Sequence, residues 1–106
     1  MWKARIAVPE RVDAGDIVEI KTLVAHPMES GFRRDHMGRE VPRDILEHFS
    51  CRIDGEVVFA ADLYPAIAAN PYLTFTVRID RTSTIELVWR DQRGNELVER
   101  RVIEAT

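Results

Sequence analysis

The chain has 106 residues, with 15 Lys and Arg against 18 Asp and Glu, a formal net charge of −3 with histidines neutral. Hydrophobic residues make up 45% and charged residues 31%, a globular balance that excludes a disordered chain and fits one domain over 1–106. The acidic balance argues against non-specific nucleic-acid binding, and a lone Cys51 excludes disulfide frameworks and zinc fingers.

Apolar and polar residues alternate with a period of two, which predicts an all-β domain. Ala4, Ile6 and Val8 mark a first strand ended by Pro9, and Pro9, Gly15 and Asp16 supply turn chemistry. A second strand runs from Ile17 to about His26, with Val18, Ile20, Thr22 and Val24 on its covered face. From Pro27 to about Arg43 the alternation stops, and a connection of that length in a small domain is expected to be functional or disordered. A third strand, from about Ile45 to Ile53, turns through Asp54-Gly55 into a fourth, Glu56–Leu63. That two-residue turn predicts a hairpin with Cys51 opposite Val58 and Phe49 opposite Ala60. Pro65 and Pro71 bound a short crossover, followed by strands carrying Leu73 to Ile79, Ile85 to Trp89 and Glu96 to Glu104. About seven short strands of this kind predict an immunoglobulin-like antiparallel β-sandwich.

The N-terminal stretch is interrupted at Glu10 and Arg11, before the ~7–15 apolar residues of a secretory signal, so no signal peptide is expected. No apolar run approaches the ~20 residues of a membrane span. The chemistry-bearing residues are sparse. His48 and Cys51 lie an odd distance apart in one strand and so point to opposite faces, which argues against a nucleophile–base pair. His26 and His36 lack zinc-ligand spacing, and His26 reads as a turn histidine bonded to backbone. No phosphate cradle or paired-carboxylate motif stands out, and Glu47 and Asp62 are isolated acids, so no catalytic residue, cofactor or metal site is expected. Cys51 reads either as a small buried hydrophobe or as half of an intermolecular disulfide; a thiol enzyme would need it exposed with a lowered pKa. Arg33, Arg34, Arg39 and Arg43 gather in the long connection and suit anion or carboxylate recognition, while Arg90, Arg93, Arg100 and Arg101 read as surface charge. Tyr64, Tyr72 and Trp89 are candidate aromatic anchors for a partner.

The segments HPMESGFRRD (26–35), VPRDILEHFSC (41–51), PAIAANPYLTF (65–75) and WRDQRGNE (89–96), in this order, resemble the SoxZ family. The resemblance implies an immunoglobulin-like subunit without catalysis of its own. It would pair with a SoxY-like carrier whose C-terminal cysteine arm holds the substrate during periplasmic oxidation of thiosulfate or other reduced sulfur compounds. It implies a heterodimer, transient contact with other Sox enzymes, and export with the partner in place of a signal of its own; an isolated chain is open to homodimer formation. The same fold could serve another periplasmic oxidation system associated with quinoprotein dehydrogenases. Within this reading the contact residues expected are Met28, Arg33, Arg34, Arg39 and Arg43 in the long connection and Ala68, Asn70 and Tyr72 in the second. The C-terminal RRVIEAT has neither cysteine nor glycine, so the carrier arm is expected on the partner and Cys51 is not the carrier cysteine.

Overall fold

In the computed structural model, which describes residues 2–64, 67 and 69–106, eight strands form two packed sheets. They are β1 (Ala4–Ala7), β2 (Arg11–Val12), β3 (Asp16–Val24), β4 (Leu46–Ile53), β5 (Glu56–Asp62), β6 (Tyr72–Ile79), β7 (Ser83–Asp91) and β8 (Glu96–Ala105). The smaller sheet has the order β1-β3-β6 and the larger β2-β8-β7-β4-β5. All pairings are antiparallel except β2 with β8, where Arg11 and Val12 run parallel to Glu104 and Ala105. The fold is the immunoglobulin-like β-sandwich that the alternation predicts, with β2 as an addition. Two residues are too few to show a period; pairing with β8 creates this strand, where the chain crosses between sheets after Pro9.

The alternating residues supply the core. Val18, Ile20 and Val24 from β3 and Phe75, Val77 and Ile79 from β6 face Phe49, Cys51, Ile85, Leu87, Trp89 and Ile103 of the larger sheet, all buried. Phe49 lies at the centre of an aromatic cluster, its ring 5.1 Å from Trp89, 5.8 Å from Phe75 and 6.1 Å from Phe59. Phe59 stacks on Phe75 at 4.4 Å with 3° between planes, tying the two sheets together along their β5 and β6 edges. Trp89 is fully buried, which removes it from the candidate surface anchors.

The β4–β5 turn forms as its residues require: Asp54 and Gly55 take φ of 49° and 87°, the positive pair of a type I′ turn. The register beyond it differs from expectation. A bulge between Cys51 and Arg52 shifts the ladder, so Cys51 faces Phe59 rather than Val58, and Phe49 faces Ala61 rather than Ala60. Val58 is the extra residue: Arg52 pairs Val57 and Cys51 pairs Phe59, which leaves it without an opposite number.

Candidate functional site

The connection from Pro27 to Asp44 is ordered, and its order comes from short-range bonds. Glu29 and Asp44 exchange backbone hydrogen bonds at 2.8 and 2.9 Å, closing its base. Val41 N–H donates to Arg33 O, and Asp35 N–H to Arg39 O, both at 2.9 Å. At the tip the Asp35 carboxylate accepts the N–H groups of Met37 (2.8 Å) and Arg39 (3.0 Å), holding the turn that Gly38 completes. Gly31 has φ +89°, and a Cβ there would come within 3.1 Å of Arg43 Cβ, so glycine lets the two arms approach.

The arginines expected to meet a partner are engaged within the loop or at its base. Arg33 forms a two-pronged bond to Glu29, at 2.7 and 3.1 Å. Arg34 donates to Gly38 O at 3.0 Å and lies 3.6 Å from Glu40, while Arg39 lies 3.4 Å from Asp35. Arg43 lies 3.6 Å from Glu47 of β4. The Arg33 hydrogen bond lowers the pKa of Glu29, and the Glu29 hydrogen bond raises that of Arg33. Such exposed pairs add little stability, but they use up charge that would otherwise be free. Two apolar side chains are left bare: Phe32 is 87% exposed and Met37 67%. Sequence reasoning passed over both, although an aromatic inside a charged, glycine-containing segment was the available signal. Met28, expected as a contact residue, offers little surface for one: its side chain is buried, and its sulfur accepts the Leu46 N–H at 3.3 Å.

His26 and the WRDQRGNE turn anchor the loop. His26 is buried, and its Nδ1 accepts the Met28 N–H at 3.0 Å, the backbone bond expected of a turn histidine. That bond requires Nδ1 to be unprotonated, so the neutral ring carries its proton on Nε2. Nε2 stands 3.5 Å from Asp44 Oδ1, without a good hydrogen bond among the described residues. Burial pushes the His26 pKa below its ordinary value, against the opposing pull of Asp44 and then Asp91. Asn70, at φ +53°, accepts the His26 N–H at its Oδ1 (3.0 Å) and donates its own N–H to His26 O (2.7 Å), joining the second connection to the first. Its side chain therefore faces His26. Ala68 lies outside the described residues. Tyr72, exposed at the start of β6, pairs with Leu23 on the outer face of the smaller sheet.

Gln92 is a second residue that sequence reasoning missed. Its Oε1 accepts the Ile45 N–H at 3.2 Å, its Nε2 donates to Arg43 O at 2.9 Å, and its N–H donates to Ile45 O at 3.1 Å. Asp91 beside it is buried. Burial raises its pKa, but hydrogen bonds from the Asn95 side chain and the Asn95 and Arg93 N–H groups more than offset that, so the net shift is downward.

Cys51 is fully buried between the sheets, and burial pushes its thiol up to about 12. An intermolecular disulfide through it is excluded without opening the core, and so is a thiol nucleophile with a lowered pKa. His48 lies on the opposite face, bonded to Asp62 at 3.0 Å. Among the described residues no three His, Cys, Asp or Glu side chains gather as metal ligands.

Residues 6–101 match the family described as sulphur oxidation protein SoxZ. The chain belongs to the SoxZ family. Among curated proteins, none matches its sequence. Its fold is similar to that of superoxide reductase (neelaredoxin) from Ignicoccus hospitalis, with TM-score 0.75 at 15% identity, covering 97% of this chain and 80% of that one. It is also similar to the sulfur carrier protein SoxY from Chlorobium limicola f thiosulfatophilum, with TM-score 0.69 at 17% identity, covering 97% of this chain and 78% of that one. A CARDB domain from Pyrococcus furiosus aligns with TM-score 0.58 at 13% identity, covering all of this chain, 100%, and 88% of that one. At such identities the likeness is one of fold alone: this SoxZ-family chain and a SoxY share a sandwich.

Proposed function

We propose that this chain is the non-catalytic subunit of a carrier complex, pairing with a SoxY-like chain whose cysteine arm holds the sulfur substrate in periplasmic oxidation of thiosulfate or other reduced sulfur compounds. The burial of Cys51 carries the reading. The single thiol of the chain sits in the core with its pKa raised to about 12, so it is unsuited to hold a substrate that other enzymes must reach. A sulfur-oxidation protein of this kind acts through a second chain that supplies the thiol. The loop from Pro27 to Asp44 supports the same division of labour: it is a stiff projection whose charges are paired and whose apolar residues, Phe32 and Met37, are free to anchor a partner. Export of the chain with its partner belongs to the same proposal.

The test is to tag the chain, recover it from the periplasm of its host, and take native and denatured masses of what co-purifies. A near-equimolar second chain bearing a cysteine near its C-terminus, with sulfur adducts on that cysteine, supports the reading. Recovery of the chain alone, or adducts on Cys51, overturns it. Deleting the signal of the second chain should strand both subunits in the cytoplasm.

A further inference from the structure

Just past the end of β3, the chain enters the long loop through His26-Pro27-Met28. Pro27 fixes its own φ and has no N–H, so the first main-chain donor of the loop is that of Met28. Met28 takes φ +49°, left-handed backbone that a residue with a Cβ adopts at a cost and keeps only where its surroundings hold it. Two bonds hold it: its N–H donates to His26 Nδ1 at 3.0 Å, and its sulfur accepts the Leu46 N–H at 3.3 Å. The His26 ring is buried. The charges that act on it are two carboxylates, Asp44 from the end of the loop, 3.5 Å from Nε2, and Asp91 from the end of β7. The neutral groups against it are Trp2, its ring edge-on at 5.5 Å, and Asn70, bonded to the His26 main chain.

A ring nitrogen that accepts an N–H when neutral becomes a donor when protonated. Protonation of His26 therefore sets one N–H against another across the 3.0 Å to Met28, leaving two buried donors without an acceptor. The charged ring has another partner within reach, because Nε2 makes no good hydrogen bond and stands 3.5 Å from Asp44 Oδ1. Asp91 does not compete, since its oxygens already accept from Asn95 and Arg93. We infer that His26 is an acid-released latch: neutral, it holds Met28 in its left-handed turn and seats the arm that leads to Phe32; protonated, it lets Met28 go and pairs with Asp44. Met28 then relaxes toward ordinary backbone and shifts the start of the loop, with Phe32 four residues on. The Gln92 bonds to Arg43 and Ile45 do not involve the ring, so the returning arm stays in place. The latch is a property of this chain alone, and its effect on partner contact rests on the carrier-complex reading above.

Nitrogen-15 NMR of the full chain tests this. At pH 7.5 the His26 ring should carry its proton on Nε2 with Nδ1 bare. Between pH 7.5 and 5 the amide signals of Met28, Glu29 and Leu46 should move along one curve with the ring, while that of Gly55, at the far end of β4, holds still. Asp44→Asn withdraws the nearer charge that favours the proton and should move the curve to lower pH. His26→Gln, whose amide oxygen can take the Met28 N–H, should abolish it. The carrier subunit should bind about tenfold more weakly at pH 5.5 than at pH 7.5, and His26→Gln should remove that difference. A ring protonated on Nδ1 at pH 7.5, a ring still neutral at pH 5, or a ring that titrates while the Met28 and Leu46 amides stay put overturns the latch. An Asp44→Asn curve that does not move overturns the exchange of partners. Amides that follow the ring in a chain that yields no carrier complex support the latch and overturn the carrier reading. Affinity indifferent to pH while those amides move overturns the link between latch and contact.

Discussion

The burial of Cys51 makes its reactivity a measure of how tightly the sandwich holds. An unperturbed thiol at pKa 9.0 is ionised about one part in ten at pH 8, whereas one raised to about 12 is ionised about one part in ten thousand. Ionisation alone therefore slows labelling by a chromogenic disulfide reagent about a thousandfold relative to a free thiol, and zero exposure slows it further. Labelling of the native chain at pH 8 should then proceed only through opening and rise steeply with added urea. Two substitutions complete the test. Cys51→Ala removes sulfur from a packed site and should cost about 1–2 kcal/mol. Cys51→Ser buries a hydroxyl in apolar surroundings and should cost about 1–3 kcal/mol, lowering the thermal midpoint by about 4–8 °C for each kcal/mol. In reconstituted turnover with the carrier subunit, below either midpoint, both variants should match the unmodified chain. Labelling within seconds in native buffer, or lost turnover by a stably folded Cys51→Ala chain, would refute the argument.

Phe32→Ala should leave the folding stability within about 0.5 kcal/mol of the original, because the ring is 87% exposed, yet weaken the carrier complex about 5–30-fold if it is buried on docking; chemical denaturation reads the first part and titration calorimetry with the carrier subunit the second. Gln92→Ala strips two side-chain bonds from the base of the long loop and should cost about 1–3 kcal/mol, with faster amide exchange at Ile45. The lowered pKa of His26 means the unfolded chain binds the proton first. The stabilisation from keeping this ring neutral is complete above the ordinary value of 6.5 and is lost as pH falls from there through the lower folded value. Chemical denaturation between pH 7.5 and 5 should show this loss, and His26→Gln should flatten it. Asp91 acts in the same direction further down: its stabilisation is present above the ordinary carboxylate value of 3.8 and is lost as pH falls through the lower folded value, a loss that Asn95→Ala should reduce.

What the sequence revealed follows from what is local. Strands β3, β4, β6, β7 and β8 announce themselves because one side chain in two faces a core, and the β4–β5 turn because Asp54-Gly55 accepts positive φ. The bulge at Val58 is hidden because Val57, Val58, Phe59, Ala60 and Ala61 carry no polar alternation to betray a shift. The long loop has no period because its bonds run from Ser30 and Asp35 side chains to nearby backbone and between charges. Its arginines were visible and their partners were legible too: Glu29 with Arg33, Asp35 with Arg39 and Arg43 with Glu47 are each four residues apart. The joining of His26 to Asn70 and of Gln92 to Ile45 comes from residues more than forty positions apart, which no local pattern encodes.

The balance of charge in the loop also bears on the kind of contact proposed for it. Between Pro27 and Asp44, four arginines are matched by four acids, Glu29, Asp35, Glu40 and Asp44. A projection with no net charge contributes little long-range steering, and its paired guanidinium groups would have to give up existing partners before binding an anion. What it offers without such an exchange is Phe32 and Met37, held apart from the core on a backbone stiffened by Asp35 and clamped by Gln92. Contact through them rests on burying apolar area, which salt does not screen. Reversing Arg33 to Glu then acts first on the loop itself, setting two carboxylates where the Glu29 fork had been. The arginines hold the loop together, and its bare apolar side chains are the groups we propose for contact with the partner.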